Sequence, residues 1–365
     1  MAFLCRVDLL DKSYLSVEIQ KSAKGCALLD HVFDVLNLRE TEYFGLQFVD
    51  SKKQLTFLDG EKTMKKQLKD VHCSFWFVVK LYPESPSSII EDITRYLVCL
   101  QVRKDLLDGR LPCAVDAAVL FGSLYAQAEL GDYDLDKHKA DYLETIEFFK
   151  ICSERMLKRV SELHQTHTGL TPAEADYKFL DRACCLELYG AHFLSVTVLF
   201  HSIDQRERIV RLAVSWAGLS VYDGKSPDHI RRLGLPWRRV SHIAFDRKKL
   251  KVCDIEENEW EFFCESRREC KRFWKICAEH HTFFRRTEAR TPKSPILSAF
   301  KMSSRFRYSG RTQREVRQES LQNGHPPEYV RSRSLSPSHV LSDRRTRPET
   351  GSMSTNSTST SGTFI

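Results

Sequence analysis

Lysine and arginine residues that stand in pairs or short clusters are the residues of this sequence whose type and spacing most readily imply a ligand. The candidates are Lys52, Lys53, Lys62, Lys65, Lys66, Arg238, Arg239, Lys248 and Lys249. A phosphate group is held by two or three converging cationic side chains, so clusters that meet in the fold would bind the headgroup of an anionic phospholipid such as a phosphoinositide. A solvated charged face gives the same pattern in a sequence, and both interpretations stay open at this point.

Histidine and cysteine residues give no pattern that is typical of catalysis or of metal binding. His164 and His167 are close in sequence and His280 and His281 are adjacent, but no cysteine or carboxylate completes either pair at ligand spacing. The sequence has no nucleophile elbow, phosphate loop or G-x-G-x-x-G motif. Its 12 cysteines form no C-x-x-C pair and most stand in apolar runs, which is typical of reduced thiols in a cytosolic protein. We therefore expect no enzymatic activity, no metal and no cofactor.

The positive charge of the chain is concentrated towards its C-terminal end. The formal net charge is +7, and the residues from Arg285 onward contain 15 Lys and Arg against 6 Asp and Glu. Such a tail suits anionic lipid, acidic partners or nucleic acid, but no zinc-finger, RNA-binding or basic-zipper pattern accompanies it, so nucleic acid is not expected. The first residues have no signal-peptide pattern, and the longest apolar stretch, 188–200, is too short to span a bilayer. We expect a cytosolic protein whose membrane contact is peripheral.

Segments with different periodicities must position these residues. Strand patterns at 3–9, 14–19, 44–49 and 74–81 around a helix at 28–38 predict a ubiquitin-like lobe over 1–82. Helical spacing dominates 88–190, with a first helix from about 88 to 108 and further helices near 114–129, 154–166 and 172–188. Strand patterns return at 196–201, 208–217, 219–222, 240–245, 250–254 and 260–263, and a helix at 267–284 completes a PH-like or PTB-like barrel over 191–286. Residues 341–365 are rich in Ser and Thr, which indicates a disordered tail.

Short motifs in these segments resemble those of the FERM domain of the protein 4.1, ezrin, radixin and moesin superfamily. They are Tyr-Phe-Gly-Leu at 43–46, Thr-Arg-Tyr-Leu at 94–97, Gly-Arg-Leu-Pro-Cys at 109–113, Gln-Ala-Glu-Leu-Gly-Asp-Tyr-Asp at 127–134, Leu-Pro-Trp at 235–237 and Phe-Trp-Lys at 273–275. The resemblance covers nearly all of 1–285, although 144–155 and 196–211 depart from the family pattern. It implies an α+β, multi-lobe fold: a ubiquitin-like lobe, a helical bundle like acyl-CoA-binding protein, and a PH/PTB-like β-barrel with a C-terminal helix, followed by the disordered tail.

Phe-Arg-Tyr-Ser-Gly-Arg-Thr at 306–312 resembles the FERM-adjacent region of the protein 4.1 branch, for which we expect the span 294–340 and regulation by phosphorylation. The resemblance implies a non-enzymatic adaptor that links plasma-membrane proteins and anionic lipid to the cortical cytoskeleton, in the cytoplasm and at the cytoplasmic face of the plasma membrane. The implied partners are cytoplasmic tails of transmembrane proteins, anionic phospholipid and cytoskeletal proteins. An ezrin-type actin-binding helix has no counterpart, so contact with actin would be indirect.

An alternative function follows from the same resemblance. FERM domains also head tyrosine phosphatases and guanine-nucleotide exchange factors, so this chain could be a shortened product of such a gene that acts as its targeting module. A chain of this kind would still lack activity, because nothing after residue 285 could fold into either catalytic domain.

The PH/PTB-like plan also implies a peptide groove, in which an extended ligand adds to an edge strand beside the C-terminal helix. The candidate residues are Val240, Ser241, His242, Ile243, Phe273 and Cys277, and the alternative is that they fill the barrel core, because only alternate residues of a strand face outward. Candidate phosphorylation sites are Thr291, Ser294, Ser309, Ser332, Ser334 and Ser336. Thr363 and Ile365 fit the C-terminal pattern of a ligand for a PDZ protein, and an accidental terminus is the alternative.

Overall fold

Three lobes and one additional helix make up the described part of the chain. The computed structural model describes residues 2–68, 73–138, 142–143, 153–199, 207–223, 231–285, 308 and 310–322. The candidate sites Thr291, Ser294, Ser309, Ser332, Ser334, Ser336, Thr363 and Ile365, and the predicted disordered tail at 341–365, lie outside the described residues.

The first lobe is a five-stranded sheet with a helix packed on it. Its elements are β1 (Ala2–Asp8), β2 (Tyr14–Gln20), α1 (Cys26–Val35), β3 (Phe44–Val49), β4 (Leu55–Phe57), α2 (Met64–Gln67) and β5 (Ser74–Val79). The strand order is β2-β1-β5-β3-β4, with β1 and β5 parallel and the other pairs antiparallel. Alternate residues of β1 and β5 enter the core, among them Cys5, Val7, Phe75 and Phe77. The predicted ubiquitin-like lobe is confirmed, and the prediction omitted only the short elements β4 and α2.

The second lobe is helical, as the sequence predicted. Its described helices are α3 (Asp92–Leu107), α4 (Val115–Leu130), α5 (Glu154–Gln165) and α6 (Pro172–Ala183). Helix α6 begins with a capping box, in which the Thr171 side chain accepts the Glu174 N–H and the Glu174 carboxylate accepts the Thr171 N–H. The predicted helix over 172–188 therefore starts where expected, but it ends at Ala183, and α6 packs against both α3 and α4.

The third lobe is a seven-stranded antiparallel sheet closed by a long helix. Its elements are β6 (His192–Leu199), β7 (Glu207–Ser215), β8 (Gly218–Asp223), β9 (Arg231–Pro236), β10 (Val240–Asp246), β11 (Lys249–Asp254), β12 (Glu259–Cys264) and α7 (Arg267–Arg285). The order β10-β11-β12-β6-β7-β8-β9 leaves β10 at one edge, where α7 packs against it. The PH-like plan is confirmed. The sequence did not predict β9, because its arginine pair, Gly234 and Pro236 are poor strand formers.

One apolar core runs through the first two lobes and reaches the third. It includes Tyr43 of the first lobe, Tyr96 and Phe121 of the second, and Phe283 of α7. The ring of Tyr43 meets that of Phe283 edge-on, with centroids 5.4 Å apart. The third lobe has a separate core between its sheet and α7. Because buried side chains are shared across the boundaries, the lobes hold each other in a fixed arrangement.

Candidate functional site at the junction of the first and third lobes

Two carboxylates of the first lobe form ion pairs with side chains on one face of α7. Asp50, after β3, pairs with Arg268 at 2.8 Å and also with Arg272, and its side chain is only 3% exposed. Asp59, after β4, pairs with Lys275 at 3.1 Å. Residues 272 and 275 are one helical turn apart, about 4.5 Å along the axis. The β3–β4 turn and the segment after β4 therefore flank the same stretch of α7.

The carboxylate of Asp50 also shapes the turn that carries two exposed lysines. Its Oδ1 atom accepts the backbone N–H of Lys52 at 2.8 Å and that of Gln54 at 3.2 Å. Lys53 lies between these two residues and has a positive φ of 57°. The side chains of Lys52 and Lys53 are both exposed. A single buried acid thus fixes the lysine turn and holds that turn against the third lobe.

Two lysines stabilise the ionised form of Asp59. Burial opposes the ionisation of Asp59, but the ammonium groups of Lys62 and Lys275 outweigh it and hold the pKa of the carboxyl at about 2. Lys62 lies 2.7 Å from the carboxylate. Because Lys62 is engaged in this pair, it belongs to the internal ionic contacts of the junction more than to its free surface.

Helix α2 adds a second pair of exposed lysines beside Asp59. The Gln67 side chain accepts the Asp59 N–H at 2.8 Å and donates to the Asp59 and Lys62 carbonyls. This fastens α2, with the exposed Lys65 and Lys66, to the segment that reaches α7. The Lys52–Lys53 turn therefore contacts α7 directly, whereas Lys65 and Lys66 lie on a helix that is fastened to a segment in contact with α7.

The candidate cations of the third lobe do not all converge on this junction. Arg238 and Arg239 precede β10 and Lys248 and Lys249 follow it, so the two pairs are about 20 Å apart at 3.3 Å per residue. Only the second pair is near the start of α7, because the Lys248 carbonyl accepts the Cys264 N–H at 2.8 Å, at the end of β12.

Ion pairs engage two of the candidate cations in the third lobe. Arg239 contacts Asp254 and Glu256, each at 3.1 Å, and Lys249 contacts Glu261 at 2.8 Å. Arg238, which stands beside Arg239, is exposed but lies at the far end of β10. Arg238, Arg239 and Lys249 stay lipid-binding predictions, but they do not belong to the set of exposed lysines at this junction that lack an ion-pair partner among the described residues.

The sequence interpretation missed the cations of α7. Lys271 is exposed and lies one turn from Arg268 and from Lys275, on the edge of the face that meets the first lobe. The basic run at 267–275 was visible in the sequence, but α7 was read only as the wall of a peptide groove. We define the basic junction surface by its exposed lysines, which are Lys52, Lys53, Lys65, Lys66, Lys248 and Lys271.

Side chains of α7 bind two backbone carbonyls along the edge of the predicted peptide groove, which stays a prediction. The Trp274 indole donates to the Ile243 carbonyl at 3.0 Å, and Arg285 donates to the Val240 carbonyl at 2.5 Å. The Ser241 hydroxyl donates to the Cys253 and Asp254 carbonyls. The His242 side chain is exposed, and no hydrogen bond from it to another described residue is seen. An added strand would have to compete with the Trp274 bond for this edge.

The remaining groove candidates belong to the core of the third lobe. Val240 and Cys277 have no exposed surface and Phe273 is 4% exposed. Burial also raises the pKa of the Cys277 thiol well above its ordinary value. The alternative stated for these residues, that they fill the barrel core, therefore holds for Val240, Phe273 and Cys277, whose side chains cannot contact a ligand in this arrangement.

The histidine pairs pack inside the lobes. His164 shares a hydrogen bond with the Tyr142 hydroxyl at 3.0 Å and another with the Gly131 carbonyl at 2.8 Å, and burial lowers its pKa. His281 contacts the Val240 carbonyl, and His280 is buried. Across the described residues, no group of three or more His, Cys, Asp or Glu side chains is arranged to hold a metal ion. None of the helices in that part of the chain is long and apolar enough to cross a membrane.

Comparisons with known families define the class of this protein. Models of the FERM N-terminal domain, the FERM central domain and the FERM C-terminal PH-like domain match residues 7–70, 84–194 and 204–292. A model of the FERM adjacent (FA) region matches residues 299–339. The three lobes are those of a FERM domain, and the resemblance noted in the sequence is confirmed.

The chain belongs to the protein 4.1 family of FERM proteins. It is 40% identical over 344 residues to Band 4.1-like protein 2 of Homo sapiens, covering 92% of this chain and 33% of that protein. It is 39% identical over 361 residues to Protein 4.1 of Bos taurus, covering 94% of this chain and 56% of that protein. The chain thus spans between a third and just over half of the length of these relatives.

Solved structures support the same fold. The FERM domain in a complex of the FERM and C-terminal domains of Drosophila Merlin superposes with a TM-score of 0.69 at 26% identity, over 77% of this chain and 96% of that one. The human Myosin 7b MyTH4-FERM domain, solved with the harmonin-a PDZ3 domain, gives a TM-score of 0.54 at 13% identity, over 76% of this chain and 60% of that one. The second likeness concerns the fold alone.

Proposed function

We propose that this chain is a non-enzymatic adaptor that links the plasma membrane to the cortical cytoskeleton, and that its basic junction surface contacts anionic phospholipid. The observation that carries the proposal is the convergence of the exposed lysines around α7. Lys52 and Lys53, Lys65 and Lys66, and Lys248 come from three separate segments. The contacts of Asp50 and Asp59 bring the two first-lobe segments to α7, and the bond between the Lys248 carbonyl and the Cys264 N–H places Lys248 near its start. Several cations fixed on a rigid surface suit a multivalent phosphate headgroup.

The ionic contacts at the junction prepare this surface for an anion. Asp50 and Asp59 already form ion pairs with Arg268, Arg272 and Lys275. Their carboxylates therefore do not compete with a phosphate for the exposed lysines. The lysine side chains project from backbone that is already fixed, which lowers the entropy lost on binding. Anionic lipid is favoured over nucleic acid because the cations form a patch beside a helix end and no groove-reading element accompanies them.

The protein-binding part of the proposal rests on family membership. Protein 4.1 and Band 4.1-like proteins match this chain across its lobes and into the FERM-adjacent region, which favours the adaptor over a shortened phosphatase or exchange factor. We propose cytoplasmic tails of transmembrane proteins and cytoskeletal proteins as partners, with contact to actin being indirect. Phosphorylation of the C-terminal segment and a PDZ protein at Thr363 and Ile365 stay predictions.

Vesicle co-sedimentation of the full chain tests the lipid contact. The test variant carries Lys→Ala at positions 52, 53, 65 and 66. The control carries Lys→Ala at 104, 137, 158 and 178, four exposed lysines of the second lobe, so both variants lose the same charge. A cation near an anionic leaflet contributes about 1 kcal/mol, so we expect the test variant to bind phosphatidylinositol bisphosphate vesicles at least tenfold more weakly and the control to bind normally.

Three further conditions separate the possible sources of binding. Phosphatidylcholine vesicles should retain neither protein, and added salt should weaken binding to the anionic vesicles. A third variant, with Arg→Gln at 344, 345 and 347, removes charge from the C-terminal segment instead. Equal losses in the test and control variants, or a loss only in this third variant, would show that the basic junction surface is not the lipid site.

A further inference from the structure

Residues that follow the three lobes in sequence return to pack on them. Tyr308 and 310–322, including α8 (Gln313–Gln322), lie against the first two lobes. Helix α8 starts with a capping box: the Thr312 hydroxyl accepts the Glu315 N–H, and the Glu315 carboxylate accepts the Thr312 N–H at 2.7 Å and its hydroxyl at 2.9 Å. Thr312 has no exposed surface, so the start of the helix is set into the lobes.

Arg311 is the polar anchor of this segment. Its guanidinium binds both carboxylate oxygens of Glu42, with Nε at 2.6 Å and a terminal nitrogen at 2.7 Å, and it donates to the Arg39 carbonyl at 2.7 Å. A further hydrogen bond of 2.7 Å joins the guanidinium to the Glu319 carboxylate on α8 itself. The two-pronged pairing with Glu42 requires the planar fork of an arginine, which a lysine does not reproduce. The hydrogen bonds that Arg311 donates to the Glu42 carboxylate raise the pKa of Arg311 further above its usual value.

Apolar anchors stand on either side of Arg311. Val316 has no exposed surface and belongs to the core shared by the first two lobes, and the half-buried ring of Tyr308 packs against that same core. The Tyr308 hydroxyl donates to the Arg311 carbonyl at 2.9 Å, which orients the aromatic ring and the arginine together. On the opposite face of α8, Arg314 and Arg317 are exposed. The segment therefore presents one apolar and ionic face to the lobes.

We propose that the first two lobes form a binding site for a segment of the pattern aromatic-x-x-Arg, and that its occupant is residues 308–322 of the same chain, docked reversibly. The length of the helix makes its structure depend on docking. Ten residues are too few for a stable isolated helix, so α8 folds when it docks and melts when it leaves. Residues 286–307 tether the segment to α7, and the tether gives it a high effective concentration at the site.

Hydrogen exchange of the full chain measures the docking. Release of the segment requires the Arg311–Glu42 pair to open, so Arg311→Gln should speed amide exchange in 313–322 by roughly 10- to 100-fold. Glu42→Gln should produce a similar increase, and the double variant should add little, because both changes remove one interaction. Arg317→Gln is the matched control on the exposed face and should leave exchange unchanged. Equal exchange in Arg311→Gln and the wild type, or equal effects of Arg311→Gln and Arg317→Gln, would overturn the proposal.

A synthetic peptide tests whether the site binds the segment in trans. The probe is a fluorescein-labelled peptide with the sequence of residues 304–324, titrated into the full chain and followed by fluorescence anisotropy. It should bind the Tyr308→Ala/Arg311→Gln chain, whose own segment is weakened, at least tenfold more tightly than the wild type, whose site is occupied. Adding Glu42→Gln to that chain should abolish the gain. The proposal fails if the peptide does not bind the doubly substituted chain, or if it binds all three chains equally.

These variants leave the basic junction surface intact. Glu42, Arg311 and Tyr308 are not among its lysines, so vesicle binding should not change in the folded variants. A matching far-ultraviolet circular dichroism melt of the lobes shows that each variant is folded. Failure of the segment-binding experiment would therefore leave the proposed lipid contact standing, and the reverse also holds.

Discussion

Replacing Asp50 with asparagine should weaken the contact between the first and third lobes while leaving each lobe folded. The Oδ2 atom of Asp50 pairs with Arg268 and Arg272, and the side chain is almost fully buried. An amide oxygen can still accept the two backbone N–H groups that Oδ1 binds, so the substitution chiefly removes the negative charge. Breaking a fully buried ion pair costs about 3–5 kcal/mol, and the partial exposure of the two arginines reduces the expected cost to about 2 kcal/mol.

Differential scanning fluorimetry of the full chain measures this loss. At 2–4 °C per kcal/mol, the apparent Tm of Asp50→Asn should fall by roughly 4–8 °C. Asp116→Asn is the matched control, because the Asp116–Arg159 pair is exposed and its loss should shift Tm by less than about 2 °C. A shift for Asp50→Asn no larger than that of the control would refute the reasoning.

Two further predictions concern buried positions. Burial and the neighbouring His192 hold the pKa of His280 well below its usual value, so the unfolded chain binds more protons below pH 6.5 and acid lowers the free energy of unfolding. Between pH 7 and pH 5 this group lowers the free energy of unfolding by up to about 2 kcal/mol. Urea titrations at the two pH values should find a smaller decrease in His280→Phe than in the wild type. An equal decrease in both proteins would exclude His280 as its source. Gly190→Ala should cost more than about 2 kcal/mol, because φ is +63° and the new Cβ would lie 2.5 Å from the Tyr82 side chain. Gly169→Ala, also at positive φ but in open space, should cost only about 1 kcal/mol, and equal losses in thermal melts would contradict the steric argument.

Local patterns in the sequence were sufficient to predict the lobes. The apolar alternation of β1 and β5, and the helical spacing over 172–188 that contains α6, are read from neighbours a few residues apart. The prediction was incomplete where local signals are weak. Strand β9 contains Gly234 and Pro236, and it forms because β8 offers a ladder of backbone partners.

The candidate sites could not be predicted in the same way. Each lysine pair of the first lobe was recognised from its sequence, but the sequence gives no reason to prefer Lys248 over Lys249. That choice depends on Glu261, which lies on the neighbouring strand β12, diagonal to Lys249, and pairs with it. The groove residues show the same limit, because the burial of Val240 and Cys277 depends on how α7 seats against β10.

The sequence by itself determined the order of the lobes, their family and the location of the cationic residues. Only the tertiary structure decided which charges are free and which are paired, because the partners lie far apart in the chain. Asp50 meets Arg272 across 222 residues, and Glu42 meets Arg311 across 269. The periodicity of a strand or helix reflects contacts between near neighbours, whereas these ion pairs form only after the lobes have packed against one another. For that reason the basic junction surface and the docking of residues 308–322 are properties of the assembled module.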